Sequence, residues 1–156
     1  MASPTILIVD DEESVRVGLG HALRGAGYRL LFAPGPHAAL QLLASESVDV
    51  VISDHLMPEM TGLDFLAVVR DRHPDTVRVM LTGHADADTA IQAINRDEVY
   101  RFLHKPCERD ELRVTVHLAL ERRELERENR LLLALIRTSP DLERQLEAAR
   151  ARQPPP

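Results

Sequence analysis

Short apolar runs and amphipathic stretches alternate along this chain. Ile6 to Val9 is unbroken and rich in β-branched residues, the mark of a strand buried on both faces. From Glu13 to Gly25 apolar side chains recur at helical spacing, with Val15, Leu19, Ala22 and Leu23 on one face, and Gly27 is placed to end the helix. The alternation continues with a strand at Arg29–Ala33, a helix at Pro36–Ala44 and a strand at Val48–Ser53. A loop, HLMPEMTG, is punctuated by Pro58 and Gly62. Beyond it the pattern predicts a helix at Leu63–Asp71, a strand at Arg78–Leu81, a helix at Ala85–Asn95, a strand at Val99–Leu103 and a last helix from near Arg109. Five strands alternating with five helices imply an α/β fold whose parallel sheet is covered on both faces. Right-handed crossovers make a five-stranded doubly wound sheet the economical topology.

Past Leu120 the chain becomes charged and Leu-rich. Leu118, Leu125 and Leu132 recur every seven residues, with Arg122, Asn129 and Ile136 on the other core position of the same register. A single Asn on such a seam matches the polar position that sets register in parallel coiled coils, whereas Glu and Arg pairs at helical spacing equally suit a solvated extension. Ser139-Pro140 breaks or restarts the helix, with Ser139 as N-cap, and a short helix is expected from Asp141 to Arg152. Gln153 and three prolines predict a disordered end. The expected division is a domain at 1–121 and a helical extension at 122–156.

Composition narrows the classes. An apolar fraction of 44% with 3% aromatics predicts an aliphatic core. A net charge of −6 argues against direct nucleic-acid binding, which relies on clustered Lys and Arg. One cysteine, Cys107, excludes an internal disulfide and suits a reducing compartment. Neither a signal peptide nor a membrane-length apolar run is expected, so the reading is a cytoplasmic protein without a membrane partner.

Polar residues at the strand ends carry the candidate chemistry. Asp10 and Asp11 close the first strand and Asp54 the third; in an open α/β sheet these ends face the ligand crevice. Three acids crowded together disfavour their own ionisation, and a hard divalent cation relieves the crowding. Few oxygen ligands with room for water and phosphate favour Mg²⁺. Thr82 follows the fourth strand and Lys105 the fifth, adding a hydroxyl and an amine at the same edge. Such a set can position a phosphoryl group and neutralise its charge, with Asp54 as the nucleophile. His55 and His84 flank this cleft as expected solvent-exposed loop residues. His104 and Cys107 offer two ligands, too few for a zinc site.

The ordered set of DD near the start, D-H-L-M-P-E-M-T-G in the middle, T-G after strand four and K-P after strand five resembles the receiver domain of bacterial two-component response regulators, over roughly residues 4 to 121. The resemblance implies a flavodoxin-like sheet of order 2-1-3-4-5 with five flanking helices and an extended C-terminal helix. It implies that Asp54 accepts phosphate from a histidine kinase or phosphotransfer protein, in a reaction the domain itself catalyses along with its reversal. Asp11 would ligate Mg²⁺ directly, Asp10 largely through a water, and the carbonyl of Leu56 would join Asp54 among the ligands. Thr82 would move toward the phosphoryl group and Lys105 would pair with it, with Pro106 following through a cis bond. Phe102 stands at the aromatic switch position, with Tyr100 nearby. The output would pass through the face made by the fourth helix, the fifth strand and the last helix, to a downstream protein or a missing output domain. A homodimer through the C-terminal helix is a further expectation. The alternatives are an interaction module not switched by phosphorylation and a Mg²⁺-dependent phosphohydrolase.

Overall fold

The computed structural model describes residues 2–83 and 99–152. Five parallel strands form one sheet: β1 (Thr5–Val9), β2 (Arg29–Ala33), β3 (Val50–Asp54), β4 (Val77–Thr82) and β5 (Arg101–His104), in the order β2-β1-β3-β4-β5. The described helices are α1 (Glu13–Leu23), α2 (Pro36–Ser45), α3 (Gly62–Arg72), α4 (Arg109–Thr138) and α5 (Pro140–Ala151). The helix expected at 85–95 and the Pro-rich end lie outside the described residues, as does His84.

Every residue of β1 and β3 is buried, so period-2 alternation sorts their side chains between two cores. On one face Leu7, Val9 and Val51 meet Ala39 and Leu43 of α2 and Phe65, Leu66 and Val69 of α3. On the other, Ile6, Ile8 and Ile52 meet Leu19 and Leu23 of α1 and Leu112, Val116 and Ala119 of α4. Aliphatic side chains dominate both, as the scarcity of aromatics requires.

Several boundaries differ from the sequence expectation. Helix α1 ends at Leu23, before Gly25 and Gly27, both of which adopt positive φ (86° and 82°) in the turn into β2. The guanidinium of Arg113 donates to the carbonyls of Ala22 (2.7 Å) and Arg24 (2.9 Å), satisfying acceptors that a helix end leaves open. Strand β3 starts at Val50 rather than Val48, and β5 at Arg101 rather than Val99. Ser139 occupies the N-cap position of α5 without a side-chain capping bond.

The start of β3 holds a polar junction. Asp49 accepts the Thr5 N–H at 2.7 Å and pairs with Arg123 at 2.7 Å, while Arg123 also donates to the Asp75 carbonyl at 3.1 Å. Both charged side chains are 19% exposed, so the pair is shielded but not dry. Asp49→Ala is expected to cost about 1–3 kcal/mol in chemical denaturation, because it strands an N–H and a guanidinium together. A double-mutant cycle with Arg123→Ala should return a coupling of about 1 kcal/mol; additive effects would show that the pair contributes nothing.

The chain separates into two units, Met1–Arg123 and Glu124–Pro156. In the second, Leu125, Leu131, Leu132, Leu133, Leu135 and Leu142 are exposed. Among the described residues, no helix is long and apolar enough to cross a membrane.

Candidate functional site

Parallel strands all point their carboxyl ends toward one edge, and this brings the strand-end residues together. Asp10, directly after β1, is wholly buried. Asp54, the last residue of β3, is 6% exposed, and Thr82, the last of β4, is 2% exposed. Asp11 is exposed at the rim. One carboxylate oxygen from each of Asp10, Asp11 and Asp54 lies within 4.8 Å of the others. Lys105 follows β5 and reaches back to bridge two of them, with Nζ at 3.0 Å from Asp10 Oδ2 and 3.1 Å from Asp54 Oδ1. The Lys105–Pro106 bond is cis.

The backbone fixes the acids in place. Asp10 Oδ1 accepts the Glu12 N–H at 2.9 Å, and the Asp10 carbonyl accepts from the Arg16 guanidinium at 2.7 Å. Asp54 Oδ1 accepts the N–H of His55 at 2.9 Å. Below it, α3 begins so close to β3 that a Cβ on Gly62 would overlap the Asp54 carbonyl oxygen and lie 2.7 Å from His55 Cα. Gly62 therefore has a packing requirement, and its N–H donates to the His55 carbonyl at 2.7 Å. Thr61 caps α3 by accepting the Asp64 N–H at 3.2 Å.

Electrostatics follow from this geometry. Burial and the neighbouring Asp10 charge push the Asp54 carboxyl above its ordinary value, against the opposing pull of Lys105 and the His55 N–H. For Lys105, burial opposes the charge, yet hydrogen bonds and attraction from Asp10 and Asp54 outweigh it and hold the ammonium above its usual range. An ionised Asp54 is thus destabilised in a site that a further cation would relieve. Three hard carboxylate oxygens at this spacing suit a cation that takes oxygen ligands at about 2.1 Å and keeps several waters, so the residues fit Mg²⁺.

The remaining residues singled out by sequence fall around this centre. Leu56 follows His55 with its side chain 65% exposed. Phe102 is half-buried against the α2–α3 core, whereas Tyr100 packs on the α1–α4 side. Tyr100 also lies under two guanidinium groups, Arg122 at 4.9 Å and Arg101 at 5.7 Å from its ring centroid. Arg122 is therefore engaged by an aromatic ring, a use its heptad position did not suggest. Cys107 is a free, half-buried thiol pushed up to about 11 by burial and by Glu111 and Glu108.

His55 overturns its expectation. It is 7% exposed, not a solvated loop residue, and among the described residues its Nδ1 has no hydrogen-bond partner. The position after a strand-end acid gave no local signal of burial.

Comparison with known proteins agrees with this arrangement. The family model described as the response regulator receiver domain matches residues 6–117. The hydrogenase transcriptional regulatory protein HoxA of Cupriavidus necator is 34% identical over 141 residues, covering 90% of this chain and 29% of that protein. The regulatory protein AtoC of Escherichia coli is 36% identical over 134 residues, covering 86% of this chain and 29% of its own length. The chain thus spans under a third of these relatives. Among solved structures, the signal receiver domain of an HD domain-containing protein from Pseudomonas fluorescens superposes with a TM-score of 0.78 at 41% identity, over 82% of this chain and 94% of that one.

Proposed function

The chain belongs to the response regulator receiver domain family, and from that premise we propose that it is a phosphorylation-controlled signalling switch with Asp54 as its phosphoacceptor. The observation that supports this most directly is the convergence of Asp10, Asp11, Asp54 and Lys105 on one pocket at the carboxyl edge of the sheet. A carboxylate oxygen of Asp54 attacks phosphorus; the bond from phosphorus to the donor's imidazole nitrogen breaks, and the electron pair leaves with the imidazole. Asp10, Asp11, Asp54 and the Leu56 carbonyl are the residues that would hold Mg²⁺. Bound there, the ion supplies charge neutralisation to the acids and the phosphoryl oxygens.

Lys105 is poised to exchange one carboxylate contact for a phosphoryl oxygen, and Thr82 supplies a hydroxyl from the neighbouring strand. The donor is a histidine kinase or phosphotransfer protein, which places the chain in the cytoplasm. Output passes through β5, including Phe102, and through α4, on which Arg122 covers Tyr100. A phosphoryl group biases such an equilibrium only through contacts that differ between the two states. The receiver spans 1–121, and the segment 122–156 links it to a downstream protein or an output domain. The exposed Leu125 and Leu132, with Asn129 between them, support a homodimer through this segment.

Intact-mass measurement after incubation with acetyl phosphate and Mg²⁺ tests the reading. Wild type should gain one phosphoryl group and Asp54→Asn none. Labelling of neither would leave an unswitched interaction module as the better description, and equal labelling of both would overturn Asp54 as the acceptor.

A further inference from the structure

Helix α1 and the outer strand β2 leave a groove of about 580 Å³ between them. That volume lies within the range of small-ligand sites, about 300–1,000 Å³. Alternation along β2 sends Leu30 and Phe32 to this side, and Tyr28, just before the strand, lines the groove with them. The chain has only two tyrosines and three phenylalanines, and one of each is here. Phe32 is 44% exposed and Val17, on the helix side, 49% exposed. The groove thus offers open apolar surface with an aromatic floor.

The helix wall is polar in a particular way. Arg16, Gly20 and Arg24 stand in one row at i,i+4 spacing, and all three line the groove. A Cβ on Gly20 would lie 2.9 Å from Phe32 Cζ, so the missing side chain is what seats the ring against the helix. Glycine inside a helix costs about 1 kcal/mol relative to alanine, and the seat is kept despite that cost. An arginine therefore stands one turn to either side of a half-open aromatic ring. His21 adds an imidazole, and Glu13 is the one acid on the lining among the described residues. Arg16 is anchored by donating to the Asp10 carbonyl at 2.7 Å. Among the described residues, neither Arg16, His21 nor Arg24 pairs with an acid, in a chain whose net charge is −6. Guanidinium groups without a counter-ion bind carboxylate and phosphate oxygens, and an exposed ring face takes another flat ring.

We propose that the α1–β2 groove is a binding site for a small planar aromatic anion, with its ring packed on Phe32 and Tyr28 and its phosphate or carboxylate held by Arg16 and Arg24. None of the strand-end residues that gather around Asp54 lines this groove, so the site is separate from the phosphoryl chemistry.

Two-dimensional ¹H–¹⁵N spectra of the full chain in chelator, titrated with adenosine 5′-monophosphate and separately with 1-naphthoate, test it. At least one anion should give saturable shifts centred on the amides of Val17, Gly20, Arg24 and Phe32, with half-saturation below about 1 mM. Binding of the first alone, the second alone or both supports the site and identifies the acid it takes. Arg24→Glu should weaken that binding about tenfold or more, the equivalent of one charge-assisted hydrogen bond, and Phe32→Ala by a similar factor. Arg24→Glu should still accept phosphate from acetyl phosphate as wild type does. No saturable shift from either anion, shifts centred elsewhere, or undiminished binding by Arg24→Glu overturns the proposal. Groove amides that move with protein concentration and not with the probes would overturn it as well, giving the groove to a second copy of the chain. Should Phe32→Ala fail to fold, Arg24→Glu, altered at an exposed position after the last helical turn, decides the matter alone.

Discussion

Gly62→Ala is expected to lower the unfolding free energy by about 3 kcal/mol and to slow phosphoryl labelling of Asp54 roughly tenfold or more. The added methyl would collide with the Asp54 carbonyl oxygen and the Cα of His55, atoms of the backbone that carries the Asp54 carboxylate. A flexible side chain could yield, but here relief requires moving α3 away from β3 or displacing the end of β3. Either movement disturbs the Gly62 N–H bond to His55 and the seat of Asp54. Urea denaturation and time-resolved intact mass read the two effects. A loss below about 1 kcal/mol with unchanged labelling would mean that the helix and strand can part freely, contrary to the close packing described here.

Lys105→Met should lower stability at neutral pH by about 2 kcal/mol, with the deficit disappearing in acid. The estimate lies below that for a fully buried pair because the Lys105 side chain is 26% exposed. The sign follows from which states bind protons. Asp54 is raised in the folded protein, so between its ordinary value and its folded value the native state holds more protons than the unfolded chain. Stability therefore falls as pH rises through that window, and the penalty is absent below the ordinary carboxylate range. Lys105 is raised as well by its carboxylate partners, so its favourable contribution is complete below its ordinary value near 10.5 and is lost in acid, where the Asp54 carboxylate it pairs with is protonated. Removing the ammonium takes away the pull that opposes the Asp54 shift, enlarging the penalty at neutral pH and widening its window upward. Thermal melts of wild type and Lys105→Met from pH 4 to 8, in chelator, should converge toward acid and diverge toward neutrality. A deficit independent of pH would mean that Lys105 acts through packing of its stem and not through its charge.

The strands were legible because burial on both faces demands unbroken aliphatic runs, and a parallel sheet confines the polar residue that follows each run to one edge. Asp10, Asp54, Thr82 and Lys105 are identifiable on that basis alone. Helix ends were less legible. Gly27 has the residue type of a terminator, yet α1 stops at Leu23, where Arg113 supplies donors from a distant element. Arg122 and Arg123 illustrate the same limit. Their spacing suited a heptad seam or a solvated face, but one lies over Tyr100 and the other pairs with Asp49. His55 and Gly62 look like ordinary loop residues in sequence, and only the approach of α3 to β3 reveals one as buried and the other as indispensable.

By itself, the order of apolar runs and the residues that close them determined an α/β sheet of five strands and the acids, hydroxyl and amine that meet at its carboxyl edge. Local periodicity and chain connectivity carry that information within short windows of sequence. Tertiary structure alone decided that Lys105 spans Asp10 and Asp54, that Gly62 admits no side chain, that Asp49 receives Arg123, and that His55 is buried. Each of these depends on distances between segments far apart in the chain, which packing of the two cores sets and no local pattern records.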